Sequence, residues 1–112
     1  MLKNLTIVIP AFNEEQGIGS VIERINAVCA DITHEIIVVN DGSQDDTARV
    51  ASRAGARVIN HRQNIGYGAS LKSGIREVQT EFVLTMDADG QHRVEDIRPM
   101  WELAADNDMI VG

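Results

Sequence analysis

The stretch "EIIVVNDGSQDDT" (35–47) contains the pattern that decides the fold. Within it, residues 35–40 are predicted to form a strand, because their continuous run of isoleucine and valine at 36–39 is typical of a strand covered on both faces. Asp41 and Gly42 follow at once and favour a turn. A short buried strand therefore runs directly into a polar loop and then into a helix-forming segment.

The polar loop also predicts where the next helix begins. Ser43 and Asp46 have the spacing of a capping box, with aspartate in place of glutamate. This box opens a helix that runs through about Ala54, and Gly55 then ends it. Asp45 and Asp46 are interpreted as helix-capping residues rather than as ligands for a metal or a substrate.

The strand–helix pattern recurs along the chain. Further strands are predicted at 5–10, 56–60, 81–86 and 108–112. Apolar residues at three- and four-residue spacing predict helices within 18–29 and 71–78. A fourth helix begins near Ile97, because Pro99 is comfortable in a first turn. This alternation indicates an α/β, Rossmann-like fold, with a mainly parallel sheet, right-handed crossovers and flanking helices.

Composition narrows the classes of protein. The chain has 112 residues, 44% of them hydrophobic, which suits one domain, or a piece of one, with a packed core. Its 17 acidic and 10 basic residues give a net charge of −7, which argues against nucleic-acid binding through a basic surface. A phosphate-bearing ligand is compatible with this charge, because a metal ion can bridge carboxylates and phosphates.

The single cysteine and the lengths of the apolar runs indicate the cellular compartment in which the chain is expected. Cys29 is the single cysteine of the sequence, so no disulfide can form within the chain. Its place on the apolar side of a predicted helix indicates a core residue. No apolar run approaches the roughly 20 residues of a membrane span, and the short first run does not resemble a signal peptide. We therefore expect a soluble chain in the cytoplasm.

Polar and flexible residues collect where the predicted strands end. They form four segments at 10–17, 40–47, 60–70 and 87–92. In an open parallel sheet, ligands bind outside the carboxyl ends of the strands. Any single strand–helix loop can be polar for no functional reason, but four such segments on one rim predict a ligand site.

The segment "DADGQH" predicts a cation site. Residues two apart in an extended chain point the same way, so Asp87 and Asp89 converge. Two carboxylates so close favour a cation such as Mg²⁺ or Mn²⁺. Gly90 permits a sharp turn that brings back Gln91 and His92 as further ligands or phosphate contacts. The alternative is a turn with two solvated aspartates.

Two other rim segments allow more than one interpretation. Asp41 either makes an ordinary Asp-Gly turn or accepts hydrogen bonds from the N–H edge of a base such as uracil or guanine. The glycines of 60–70 and the following helix do not have the spacing of a dinucleotide-binding loop or a P-loop. We expect Gly66 and Gly68 to form a tight turn into the helix. Lys72 then either reaches a phosphate or is solvated.

Four motifs, taken in order, resemble glycosyltransferase family 2, whose domain has the GT-A fold. They are "IVIPAFNEE", "VVNDGSQDDT", "NIGYGASLKSGI" and "DADGQH", and together they cover essentially the whole chain. The closest subgroup is the dolichyl- or polyprenyl-phosphate mannosyl- and glucosyltransferases, although Arg93 and Val94 stand where that subgroup often has two prolines. The resemblance implies that residues 1–112 are a Rossmann-like nucleotide-binding half of a GT-A domain.

The resemblance also assigns roles to residues. The nucleotide of a sugar donor would contact Pro10, Ala11, Phe12, Asn13, Glu14, Asp41, Asp87 and Ala88. Asp89 would be the main metal ligand, with Gln91 as a second ligand and Asp87 facing the ribose or the metal. The metal would be Mg²⁺ or Mn²⁺. Lys72 and His92 are weaker candidates for contacts to the diphosphate.

The implied reaction moves a hexose from a UDP- or GDP-linked donor, such as UDP-glucose or GDP-mannose, to a polyprenyl or dolichyl phosphate. The full-length enzyme would act at the cytoplasmic face of a membrane. A domain of this fold is about twice as long as this chain, so we expect a donor-binding half that transfers sugar poorly or not at all by itself. An exposed sheet edge in such a half predicts self-association into a homo-oligomer.

Two other classes of function compete with this one. A haloacid-dehalogenase-type phosphohydrolase also ends a strand with D-x-D-G. There the motif opens the chain and is followed by threonine, whereas here it ends the fourth strand and is followed by Gln91. The second alternative is a non-catalytic module that binds a nucleotide or assembles with itself.

Overall fold

The computed structural model describes residues 5–88 and 94–107 as alternating strands and helices. In chain order these are β1 (Leu5–Ala11), α1 (Ile18–Val28), β2 (His34–Asp41), α2 (Thr47–Arg53), β3 (Arg57–His61), α3 (Tyr67–Arg76), β4 (Phe82–Thr85) and, after a 3₁₀ turn at Val94–Asp96, α4 (Ile97–Asn107). The α/β fold, the first four predicted strands and the helix start at Ile97 are confirmed. The fifth strand, predicted at 108–112, lies outside the described residues.

The four strands run parallel in the order β3-β2-β1-β4. β1 is central and each of its residues is buried, which agrees with its nearly uninterrupted apolar sequence. Ile9 pairs with Val38 of β2 on one side, and Leu5 pairs with Phe82 of β4 on the other. The chain therefore moves outward from β1 to β3 and then crosses back to the far side of β1. This reversal leaves a crevice between the carboxyl ends of β1 and β4.

The helices divide between the two faces of the sheet. α1, α2 and α4 cover one face, whereas α3 covers the other. Right-handed crossovers require this division, because the connection from β3 to β4 runs across the sheet in the opposite direction. The larger core lies under α1, whose predicted stripe of Ile18, Val21, Ile22 and Ile25 is buried.

α3 packs against the sheet through a glycine. A Cβ atom on Gly74 would lie 2.4 Å from Val8 Cγ1 in β1 and 3.0 Å from Val39 Cγ2 in β2. Carbon atoms in close-packed interiors do not approach so closely, so a side chain at this position would push the helix outward. The absence of a side chain lets the helix lie directly on the two central strands.

The start of α2 differs from the prediction. Asp46 precedes the helix without a capping hydrogen bond from its side chain, and Ser43 Oγ instead accepts from the Asn13 N–H at 2.8 Å. The predicted capping box is therefore wrong, because the serine holds a neighbouring loop. Asp45 Oδ1 accepts from the Thr47 N–H at 3.0 Å and takes the capping role.

Two smaller predictions concern the helix ends. Gly55 follows α2 with a positive φ of 104°, as a helix-terminating glycine does. Cys29 is buried in the core, as expected, and burial raises the pKa of its thiol.

Within residues 5–88 and 94–107, no helix is both long enough and apolar enough to cross a membrane.

Candidate functional site

An open cleft of about 300 Å³ lies at the carboxyl ends of the strands, at the reversal between β1 and β4. Seven of the residues expected to contact a nucleotide line it, namely Pro10, Ala11, Phe12, Glu14, Asp41, Asp87 and Ala88. Its remaining lining residues come from the loop before α3 and from the first turns of α3, and they are Asn64, Gly66, Tyr67 and Ser70. Segments that follow all four strands therefore meet at one rim.

Two aromatic side chains stand at the mouth of the cleft. Phe12 exposes 45% of its surface and Tyr67 exposes 55%. Large apolar side chains gain little stability from such exposed positions, and exposed patches of this kind commonly mark binding sites. Their rings offer flat apolar surface to a planar ligand.

Asn13 does not line the cleft but fastens two of its loops. Its φ of 54° lies in the left-handed region, its N–H donates to Ser43 Oγ at 2.8 Å, and its Oδ1 accepts from the Gln44 N–H at 2.9 Å. The Glu14 N–H donates to Thr47 Oγ1 at 2.8 Å at the same junction. The loop after β1 is thereby fixed to the loop after β2, which sets the position of one wall of the cleft.

Asp41 joins the end of β2 to the loop before α3. It is 4% exposed. Its Oδ1 accepts from His61 Nδ1 at 2.9 Å and from the Ile65 N–H at 3.0 Å, and its Oδ2 accepts from the Gly66 N–H at 2.9 Å. Burial by itself raises the pKa of Asp41, but these hydrogen bonds together outweigh burial and hold the pKa below its ordinary value. The side chain is therefore an ionised carboxylate at neutral pH.

His61 fixes the orientation of this carboxylate through a hydrogen bond. An ionised carboxylate only accepts hydrogen bonds, so His61 Nδ1 carries a proton. His61 Nε2 lies 2.8 Å from Ser73 Oγ, and in the neutral imidazole the serine hydroxyl donates to it. The chain of contacts Asp41–His61–Ser73 thus connects β2 through β3 to α3 and fixes the direction in which the carboxylate points.

Glycines shape the loops around Asp41. Gly42 has a φ of 73°, and a Cβ atom there would lie 2.5 Å from Asn64 N, so the two loops touch through a position that needs glycine. Gly66 has a φ of 106° and precedes α3, which confirms the expected turn. Gly68 was expected in the same turn, but this is wrong because the helix has already begun at Tyr67.

Asp87 follows β4 and meets α3 across the cleft. Tyr67 Oη donates to Asp87 Oδ1 at 3.2 Å. Burial, and then the neighbouring Asp87 carboxylate, raise the pKa of the Tyr67 phenol. Among the residues that the structure describes, no three His, Cys, Asp or Glu side chains converge on a metal position. Asp89, Gln91 and His92, which were expected to bind metal or diphosphate, lie outside those residues.

The loop before α3 contributes more to the cleft than its sequence indicated. Lys72, the expected phosphate contact, is exposed on α3 and does not line the cleft. Asn64, Tyr67 and Ser70 line it but were not expected to do so. A signal for two of them was present, because Tyr67 and Ser70 are three residues apart at a helix start and therefore share a face.

Comparison with known families decides the assignment of the chain. The model for glycosyl transferase family 2 matches residues 6–112. The chain belongs to glycosyltransferase family 2. The resemblance drawn from the four motifs is thereby confirmed.

The curated relatives of the chain include several undecaprenyl-phosphate 4-deoxy-4-formamido-L-arabinose transferases. The chain is 36% identical to the undecaprenyl-phosphate 4-deoxy-4-formamido-L-arabinose transferase of Pseudomonas syringae pv. syringae, over 99% of this chain and 35% of the relative. It is 34% identical to the transferase of the same name from Serratia proteamaculans, over 99% of this chain and 36% of the relative. The chain thus spans about a third of the length of the curated relatives it matches.

Solved structures of two sugar-phosphoglycerate synthases are similar to this chain. One is mannosyl-3-phosphoglycerate synthase from Rubrobacter xylanophilus, which is 27% identical in sequence and superposes with a TM-score of 0.71. The match covers 78% of this chain and 31% of the synthase chain. Glucosyl-3-phosphoglycerate synthase from Mycobacterium tuberculosis, in complex with Mn²⁺, UDP-glucose and phosphoglyceric acid, matches 77% of this chain and 33% of its own with a TM-score of 0.67 and 32% identity. The fold is that of GT-A glycosyltransferases, as expected.

Proposed function

We propose that this chain is the donor-binding half of a glycosyltransferase and that its cleft holds the nucleoside diphosphate of a sugar donor. The observation that carries the proposal is the convergence of Asp41, Tyr67 and Asp87 where the strand order reverses. Open α/β sheets bind their ligands at such points. The aromatic rim at Phe12 and Tyr67 suits a nucleobase, and the buried carboxylate of Asp41 suits its N–H edge.

The oxygen-bearing side chains at and near the cleft suit a divalent cation. Asp87 brings a carboxylate to the cleft, and Asp89 and Gln91 add oxygen ligands close by in the sequence. The presence of Mn²⁺ and UDP-glucose in the Mycobacterium tuberculosis neighbour supports the same pairing here. When bound, Mg²⁺ or Mn²⁺ neutralises charge on the departing nucleoside diphosphate. In this proposal Asp41 orients the base, and Tyr67 holds Asp87 toward the diphosphate.

The proposed donor is a hexose linked to UDP or GDP, and the proposed acceptor is a polyprenyl phosphate. The names of the curated relatives support this class of acceptor. We place transfer at the cytoplasmic face of a membrane, where the phosphate of such a lipid is accessible. Because the chain spans about a third of those relatives, donor binding rather than complete transfer is the function proposed for these residues.

Titration of the chain with UDP-glucose and GDP-mannose, each with and without Mn²⁺, tests this function. We expect binding that requires the metal and disappears in Asp89→Ala, because the main metal ligand is lost. Asp96→Ala removes an exposed carboxylate of the 3₁₀ turn and serves as the matched control, with binding unchanged. Binding that needs no metal and survives Asp89→Ala would contradict the metal assignment.

A self-assembling module without catalysis is the second candidate. β3 and β4 form the edges of the described sheet, and exposed edge strands readily pair with other chains. We expect a homo-oligomer, and analytical sedimentation measures it. An oligomer that binds neither donor would favour assembly as the function, whereas a monodisperse monomer would contradict self-association.

A further inference from the structure

One segment of the chain is basic, although the chain as a whole is acidic. Residues 47–76 contain six of the ten basic residues and none of the 17 acidic ones. The rest of the chain therefore has 17 acidic and four basic side chains. A charge asymmetry of this size indicates a surface that binds an anionic partner.

Three cations of this segment lie on or beside α3 without an ionic partner. Arg62 precedes the helix, Lys72 and Arg76 lie within it, and all three are exposed. Among the residues that the structure describes, no acidic side chain forms a salt bridge with any of them. Glu77, which follows the helix, pairs with Arg57 instead. These three charges are therefore available to a binding partner.

Exposed isoleucines accompany these cations. Gly74 faces the sheet, so Ile75 and Lys72 lie on the side of α3 that faces away from it. Ile75 exposes 46% of its surface, and Ile65, in the loop before the helix, exposes 52%. Exposed apolar side chains among unpaired cations indicate a partner that is both apolar and anionic. We define the α3 outer face as Arg62, Ile65, Lys72, Ile75 and Arg76.

We propose that the α3 outer face docks the protein on the surface of an anionic membrane. Lys and Arg side chains near such a surface are attracted to its headgroups, and isoleucine gains from burial at the boundary with the acyl chains. A nucleic acid would pair with the cations through its phosphates but would leave the isoleucines without an apolar partner. The choice of a membrane also rests on the proposed function, whose acceptor is a lipid phosphate.

Docking through this face brings the cleft close to the membrane. α3 begins with Tyr67, which lines the cleft and is exposed. Tyrosine is favoured at membrane–water interfaces, because its ring is apolar and its hydroxyl is polar. The acidic residues outside 47–76 repel an anionic surface, so they favour approach through α3 over approach through other faces. The donor sugar is thereby held near the plane of the lipid phosphates.

Co-sedimentation of the 112-residue chain with lipid vesicles tests the docking. One set of vesicles contains phosphatidylcholine alone, and the other contains phosphatidylcholine mixed with phosphatidylglycerol. We expect the chain to bind the mixed vesicles more tightly, and we expect this binding to weaken as the salt concentration rises.

A charge variant and its matched control locate the docking surface. In Arg62→Gln with Arg76→Gln we expect the affinity for mixed vesicles to fall about tenfold or more, because each cation near an anionic surface contributes roughly fivefold. Arg49→Gln with Arg53→Gln removes the same charge from α2, on the opposite face of the sheet, and should have little effect. Circular dichroism checks that both variants fold.

An apolar variant tests the contribution of isoleucine. In Ile75→Gln we expect the affinity for mixed vesicles to fall about threefold or more, because an aliphatic side chain no longer enters the bilayer surface. Leu103→Gln, at an exposed position on α4, is the matched control and should leave the affinity nearly unchanged. An unchanged affinity in Ile75→Gln would contradict the apolar part of the docking.

The remaining results separate this inference from the proposed function. Equal binding to both sets of vesicles, or an equal loss in the α2 variant, would overturn docking through α3. Binding to a DNA duplex without binding to vesicles would overturn the membrane as the partner. Titration with UDP and Mn²⁺ without vesicles tests the cleft separately. Nucleotide binding without vesicle binding overturns the docking alone, whereas vesicle binding without nucleotide binding overturns the proposed function alone.

Discussion

At the scale of the residue, Asp41 contributes to both the stability of the fold and its dependence on pH. Hydrogen bonds from His61, Ile65 and Gly66 lower its pKa, although burial opposes them. A carboxyl whose pKa is lower in the folded than in the unfolded protein stabilises the fold above the unfolded value of about 3.9. That stabilisation is lost as the pH falls through the folded value.

We therefore expect Asp41→Asn to lower the free energy of unfolding by roughly 1 to 3 kcal/mol at neutral pH, because an amide N–H₂ group replaces one oxygen of the buried carboxylate and cannot accept the hydrogen bond from a backbone N–H. The difference from the wild type should shrink as the pH falls below about 4, where the wild type loses the same contribution. Urea unfolding across this range measures the effect. Asp96→Asn, in the exposed 3₁₀ turn, is the control and should have little effect at any pH. A difference that does not depend on pH would contradict this role of Asp41.

Tyr67 reports directly on the contact between α3 and the end of β4. It is the single tyrosine of the sequence, so an absorbance titration observes it alone. Burial, and then Asp87, raise the pKa of its phenol, so we expect a pKa above the ordinary value of about 10. Asp87→Asn removes the neighbouring charge and should return the pKa part of the way, because burial remains. A pKa that Asp87→Asn leaves unchanged would mean that the two side chains do not meet in solution.

At the scale of the element, the position of α3 depends on Gly74. In Gly74→Ala the new methyl group would collide with Val8 and Val39, so we expect the free energy of unfolding to fall by roughly 1 to 3 kcal/mol. Gly68→Ala in the same helix meets open space and should raise the free energy of unfolding by up to about 1 kcal/mol, because alanine favours helix. Chemical denaturation of both variants measures the contrast. Equal effects would show that α3 does not lie so close to the sheet.

The elements themselves follow from local sequence. Each predicted boundary of β1 to β4 lies within one residue of the observed one, because continuous apolar runs between polar turns leave little choice. The start of α2 was predicted wrongly, because Ser43 bonds to Asn13, 30 residues away in the sequence. The partners of Asp41 are likewise 20 to 25 residues distant. Local pattern therefore predicts the elements, whereas the hydrogen bonds between loops depend on how the strands assemble.

At the scale of the whole molecule, the strand order β3-β2-β1-β4 determines where the cleft lies. The reversal after β3 places α3 on the face opposite α1 and α2 and separates the carboxyl ends of β1 and β4. In parallel sheets the carboxyl ends of the strands meet at one edge, and from this rule the sequence predicted that the polar segments share one rim. It did not predict the order of the strands, and the contribution of Tyr67 and Ser70 to the cleft depends on that order.

The central claim is that a nucleoside diphosphate and a divalent metal bind together in this cleft. Paramagnetic broadening of the amide signals of the nitrogen-15-labelled chain, by substoichiometric Mn²⁺ in the presence of UDP, tests it most directly. We predict that the signals of Phe12, Tyr67 and Asp87 broaden first, whereas the signal of Gly55, before β3 at the opposite end of the sheet, persists. Broadening that spares Phe12, Tyr67 and Asp87, or that is uniform along the chain, would contradict the claim.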